Sequence, residues 1–217
     1  MTSFNIIIRI YFFFTLILPC YYFSQFKIPK GFSEFKQSPS DRREMKRLIV
    51  DFDKDGKDDT ITVIYQSDYE LHTAKKYLAI YVSSKKKTFY IDFDLFNGVF
   101  AIPLKYKNDV LEFLVYQEGT GVYGHGLKLR FNQKVEEIQV IGYDYSYRTP
   151  SGHCNKTYNL LTGDFTVIND FYNMKTKNTE FENFKGNKRI LKSIFIKDLS
   201  SDLFANLSLI GEKYERE

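Results

Sequence analysis

Between Asp51 and Asp59 the chain reads DFDKDGKDD, with aspartates at 51, 53, 55, 58 and 59 and only Lys54 and Lys57 to offset them. Carboxylates packed so closely repel one another unless a cation sits among them. A calcium ion takes about six to eight oxygen ligands at about 2.3–2.6 Å, and aspartates alternating on a tight loop supply them from short side chains. Asp51, Asp53, Asp55 and Asp59 are the expected carboxylate ligands. Gly56 permits the sharp turn, and the backbone carbonyl of Lys57, at the seventh loop position, adds a further oxygen. Asp58 and the two lysine side chains are expected to point into solvent. The competing reading is a solvated acidic turn of the same outline that holds no metal.

The pattern D-x-D-x-D-G-x-x-D over Leu48 to Tyr65 resembles the calcium loops of FG-GAP and VCBS repeats, which occur in integrin-type propellers and many secreted bacterial proteins. It is more distantly similar to EF-hand and dockerin loops. An EF-hand would carry a bidentate Glu at loop position twelve between two helices, whereas Thr62 stands there inside the strand-like TITVIY. The resemblance therefore implies a strand–loop–strand form, a β-hairpin pinned by one calcium ion.

Other residues capable of chemistry are scattered. The histidines are His72, His125 and His153, and the cysteines are Cys20 and Cys154. His125 lies in GTGVYGHG, where the glycines could suggest a phosphate cradle, but LKLRF follows as a strand where such a cradle needs a helix. His153 adjoins Cys154 in RTPSGHCN. Adjacent side chains on extended backbone diverge, so a thiol–imidazole pair between them is not expected. A zinc site from His125, His153 and Cys154 lacks any pair at ligand spacing. Glu112 and Glu118 flank FLVY and could form a glycosidase pair, although charged residues at strand ends are usually solvated. Asn155-Lys-Thr157 and Asn206-Leu-Ser208 match glycosylation sequons, which matter only in a eukaryotic secretory route.

The elements that must position these groups read as strands. The runs LIVDF, TITVIY, KYLAIYV, TFYIDFDLF, VLEFLVYQ, LKLRF, EEIQVIGYDYSY, KTYNLL, DFTVIND and RILKSIFI are rich in β-branched and aromatic residues, with turn signals between them. Leu127, Leu129 and Phe131 alternate with Lys128 and Arg130, and Tyr143, Tyr145 and Tyr147 continue Ile141 on one face. The expected fold is all-β or β-dominated, an antiparallel meander of about ten short strands closed as a sandwich, a barrel or a partial propeller. A short helix is expected near the C-terminus, capped at Ser201 or Asp202, with Leu203, Leu207 and Ile210 on one face. Another short helix could start at Ser40 or Asp41 and run to Arg47.

Length and composition narrow the class. A chain of 217 residues with 21 Phe, 17 Tyr and no Trp can bury a sizeable core. A formal charge of +4, from lysines scattered along the chain, is too weak and too dispersed for nucleic-acid binding. The start, MTSFNIIIRIYFFFTLILPCYYFS, has Arg9, an apolar run from Ile10 to Leu18 and a helix-breaking Pro19, which reads as a secretory signal peptide over residues 1–24. The run is short for a spanning anchor. A lipoprotein held through Cys20 is disfavoured because Pro19 replaces the small residue such motifs carry. Residues 25–47 read as an extended lead-in and 48–217 as a single β-rich domain. With Cys20 removed, Cys154 has no partner for a disulfide, so a core or a metal must hold the secreted or periplasmic domain together. The implied protein is a non-enzymatic calcium-binding domain whose loops contact a protein or glycan partner. The alternatives are an extracellular hydrolase with structural calcium, or an inhibitor or protective partner of another secreted protein.

Overall fold

The computed structural model describes residues 26–37, 44–70, 73–97, 100–101, 104–117 and 123–216. The signal peptide read over 1–24, the cap at Ser40 or Asp41, His72, Glu118 and Gly119–Val122 lie outside the described residues. Two antiparallel sheets dominate. The first comprises β1 (Phe32–Glu34), β2 (Leu48–Val50), β3 (Asp59–Gln66), β4 (Lys76–Val82) and β5 (Lys87–Asp92). β3, β4 and β5 follow one another as a meander, while β2 and β1 share the other edge of β3, one beside each half. The second runs β6 (Phe100–Ala101), β8 (Val110–Gln117), β9 (Tyr123–Asn132), β10 (Glu137–Arg148), β11 (Gly152–Asn159), β12 (Asp164–Asn173) and β13 (Asn178–Asn187). β7 (Lys105–Lys107) joins β8, and β14 (Ile194–Phe195) joins β10. Among the described residues neither sheet closes into a barrel.

Alternation drives the two sheets together. Ile61, Val63, Leu78, Ile80, Phe89 and Ile91 from the first meet Leu111, Phe113, Leu127, Leu129, Ile138 and Val140 from the second in one buried cluster. The opposite face of the first sheet is covered too. Ile64, Ala79 and Tyr81 pack under Phe26, which explains why TITVIY is apolar nearly throughout. The stretch read as a lead-in thus contributes β1 and buries Phe26, Phe35 and Met45. No helix forms over Glu44–Arg47, where Glu44 instead bridges to Gln37.

β10 holds the second sheet together through an irregularity. Its register against β9 steps from Val140↔Leu129 to Gly142↔Lys128, leaving Ile141 as the extra residue of a β-bulge. The inward face is therefore Ile138, Val140, Tyr143, Tyr145 and Tyr147, and the tyrosines continue Val140 rather than Ile141 as the sequence suggested. The helix α1 (Ser201–Ser208) packs on this face. Ser200 caps it by accepting a 3.1 Å bond from the Leu203 amide, one residue earlier than expected. Phe204 sets its ring 4.4 Å from that of Phe96 and against His125 and Tyr143, with Leu207 and Ile210 buried behind it.

Candidate metal centre

The acidic loop connects β2 to β3, the hairpin expected from the sequence. Two left-handed positions turn it, Lys54 at φ 61° and Gly56 at φ +83°. Each aspartate then has its own role. Asp51 crosses the loop, its Oδ1 accepting from the Asp55 amide at 3.0 Å and its Oδ2 from the Gly56 amide at 3.0 Å. Asp59, fully buried as the first residue of β3, accepts from the amides of Phe52 at 3.0 Å and Asp53 at 3.2 Å through Oδ2, and from Ser83 at 2.7 Å through Oδ1. Asp53, 5 % exposed, accepts 2.6 Å from the Ser84 hydroxyl.

Asp51, Asp53 and Asp59 each offer a carboxylate oxygen within 4.8 Å of the other two, a cluster that could hold a metal ion. Oxygen-only donors of full charge suit a hard cation. Burial pushes the Asp59 carboxyl above its usual range. The Asp53 charge adds to the rise, against the pull of the amides bonded to it. Asp55 stands outside that three-carboxylate group. Its Oδ1 accepts from the Lys57 amide at 2.9 Å and its Oδ2 lies 3.5 Å from Lys57 Nζ. Slight burial works to raise its pKa, but the Lys57 amide and charge hold the Asp55 carboxyl below the usual carboxylate range. Asp58 is exposed, as is Lys57, and Lys54 reaches 2.5 Å to Asp109.

What the sequence did not reveal is how much of the molecule meets this loop. Ser83 and Ser84 come from the β4–β5 turn. The Gln133 amide, in the β9–β10 turn, donates to the Asp53 carbonyl at 3.1 Å, and the Tyr106 hydroxyl on β7 donates to the Asp51 carbonyl at 3.3 Å. The serine-rich turn SSKKK is the only sequence feature that could have drawn attention to these contacts. The centre lies where hairpin ends of both sheets converge, not within one hairpin.

The remaining candidates do not assemble. Cys154 is fully buried on the inward face of β11, and burial pushes its thiol up. His153 is on the outward face, 3.1 Å from Asp170 Oδ1. His125 stands two strands away from Cys154, its Nδ1 2.8 Å from the Tyr143 hydroxyl, and burial lowers it to about 4. Glu112 is exposed on β8, in register with Lys105 on one side and Lys128 on the other, where a carboxylate is simply solvated. Among the described residues, YGHG of the first glycine-bearing stretch belongs to β9 and GHCN of the second to β11. The glycines serve close packing: a Cβ on Gly124 would meet Ser146 Oγ at 2.7 Å and Tyr116 at 2.9 Å.

The fold and the site together define a β-dominated protein of two antiparallel sheets with a buried acidic cluster at their junction. No protein-family model matches the chain, and comparison with curated proteins and with solved structures returns no match.

Proposed function

We propose that this is a secreted, non-enzymatic β domain whose acidic loop binds one calcium ion, and that the ion stabilises the junction of the two sheets while the exposed surface engages a protein or glycan partner. The observation that carries the reading is the convergence of Asp51, Asp53 and Asp59 within 4.8 Å, with two of the three buried. A divalent cation turns their repulsion into attraction. Calcium suits the site better than magnesium, which keeps its waters and demands a stiff octahedral shell that a loop of alternating aspartates does not provide. Asp55 and the Lys57 carbonyl complete the ligand set in this reading, and waters fill what remains. Export is supported by the signal-like pattern of residues 1–24.

Binding to the folded state alone adds about 2.7 kcal/mol of stability at a hundredfold excess over Kd. In a chain that ordinarily has about 5–15 kcal/mol to lose, that is a large share. Titration calorimetry with calcium and with magnesium, beside thermal melts in calcium and in chelator, tests the proposal. Binding heat for calcium and a chelator-sensitive melting temperature are expected. A melt indifferent to chelator with no binding heat leaves the acidic turn as a purely structural feature.

A further inference from the structure

Past α1 the chain lies on the inward face of β11, β12 and β13 as the short segment Gly211–Arg216. One 3-10 turn at Glu212–Tyr214 shapes it, and it forms no ladder with any strand. Its last three described residues are each held by different chemistry. The Tyr214 ring stacks on Phe184, centroids 5.0 Å apart and planes 16° apart. Glu215 divides its carboxylate between Lys156 Nζ, through Oε1, and the Tyr147 hydroxyl, through Oε2. Arg216 lies 3.5 Å over the Phe171 ring and 3.0 Å from Glu182. Between them the Asn169 amide, itself 1 % exposed, donates to the Tyr214 carbonyl at 2.8 Å.

Two features separate this contact from ordinary packing of one segment on a sheet. The Lys156 side chain is only 7 % exposed, and among the described residues its carboxylate partner is Glu215. A buried ion pair contributes little net stability, because desolvation cancels most of the attraction, but it discriminates sharply against a ligand lacking the charge. Asn169 Oδ1 is also buried without a hydrogen-bond partner, an acceptor the segment leaves unused. Meanwhile the backbone bonds of the segment are local, from the Tyr214 amide to the Gly211 carbonyl and from the Glu215 amide to the Glu212 carbonyl, so its turn can persist away from the sheet.

We propose that this face is a peptide-recognition site for an aromatic–acidic–basic sequence, and that Tyr214-Glu215-Arg216 is a resident ligand which a partner protein presenting the same pattern displaces. Lys156 and Tyr147 read the acid, Phe184 the aromatic ring, and Glu182 with Phe171 the cation. Tethering gives the resident segment a millimolar-range local concentration, so a partner must bind well or the segment must be weakened first. The proposal is independent of the acidic loop.

Cys154 supplies the readout, since it is fully buried beside Tyr147 on the same face. In the full chain carrying Cys20→Ser it is the sole thiol. Glu215→Gln should raise its labelling rate by about 30-fold or more, the effect of removing one partner of a buried charge pair. A synthetic peptide GEKYERE added in trans should return the rate toward that of the parent, and GEKYQRE should not. An unchanged rate in Glu215→Gln overturns the proposal, as does a faster rate on which the two peptides act alike. A protected dimer in light scattering, formed by copies exchanging the segment, would also overturn it. Should Glu215→Gln lose its near-ultraviolet circular dichroism, Arg216→Ala leaves Lys156 its partner and is read by the same criteria.

Discussion

Asp53 and Asp59 carry opposing demands, because the arrangement that suits a cation puts two buried charges side by side without one. Asp53→Asn keeps the shape and the acceptor for the Ser84 hydroxyl while removing the charge that raises Asp59. Without calcium the variant is expected to melt no lower than the parent, and the gain on adding calcium is expected to vanish; parallel scans in calcium and in chelator read both. His125 gives a pH dependence of known sign. Its folded value of about 4 lies below the ordinary 6.5, so the unfolded chain binds the proton first and stability falls as pH drops from about 6.5 to about 4. The loss is on the order of 3 kcal/mol. Urea midpoints between neutral pH and about pH 4.5 should show it, and His125→Phe should flatten the slope. At this scale the sequence was informative where spacing alone sets geometry. Asp51, Asp53 and Asp59 converge as their positions in one loop suggested, whereas Asp55 turns to Lys57, a choice made by local hydrogen bonds that a spacing pattern does not encode.

Strands were legible wherever one face is apolar. TITVIY, KYLAIYV and LKLRF appear as β3, β4 and part of β9. β13 was missed because NTEFENFKGN interleaves Phe with Glu, Asn and Lys, the composition of an edge strand with little to bury. RILKSIFI failed the other way, giving only the two-residue β14, since Ile190, Ile194 and Ile196 pack against the core from an irregular segment while Leu191 stands exposed. Glycines make this scale testable. A Cβ on Gly56 meets nothing within 4 Å, so Gly56→Ala costs only the left-handed backbone, about 1 kcal/mol. On Gly152 it would stand 1.8 Å from the Asp170 carbonyl oxygen, so Gly152→Ala must push β11 from β12 and is expected to cost several times more. Denaturant midpoints of the two variants give the comparison.

Over the whole molecule, one buried cluster joins both sheets, and the acidic loop touches turns from each. Unfolding is therefore expected as a single transition, with near- and far-ultraviolet circular dichroism superimposing in calcium and in chelator alike and only the midpoint moving. A chelator-induced early phase confined to one signal would show that the sheets separate independently. The two-sheet arrangement was not legible from the sequence, because alternation reports that a face is buried without naming what buries it. The bulge in β10 adds a matter of parity. Inward residues three apart, Val140 and Tyr143, mean that this strand carries one residue more than regular alternation requires. Deleting Ile141 would restore an even count and leave every later side chain on the face it already occupies. A deletion on the partner strand, at Leu129 for instance, would turn the rest of that strand inside out. β10 thus holds a spare residue, and at Ile141 the strand tolerates a shortening that, inside a regularly alternating strand among the described residues, would reverse what faces the core.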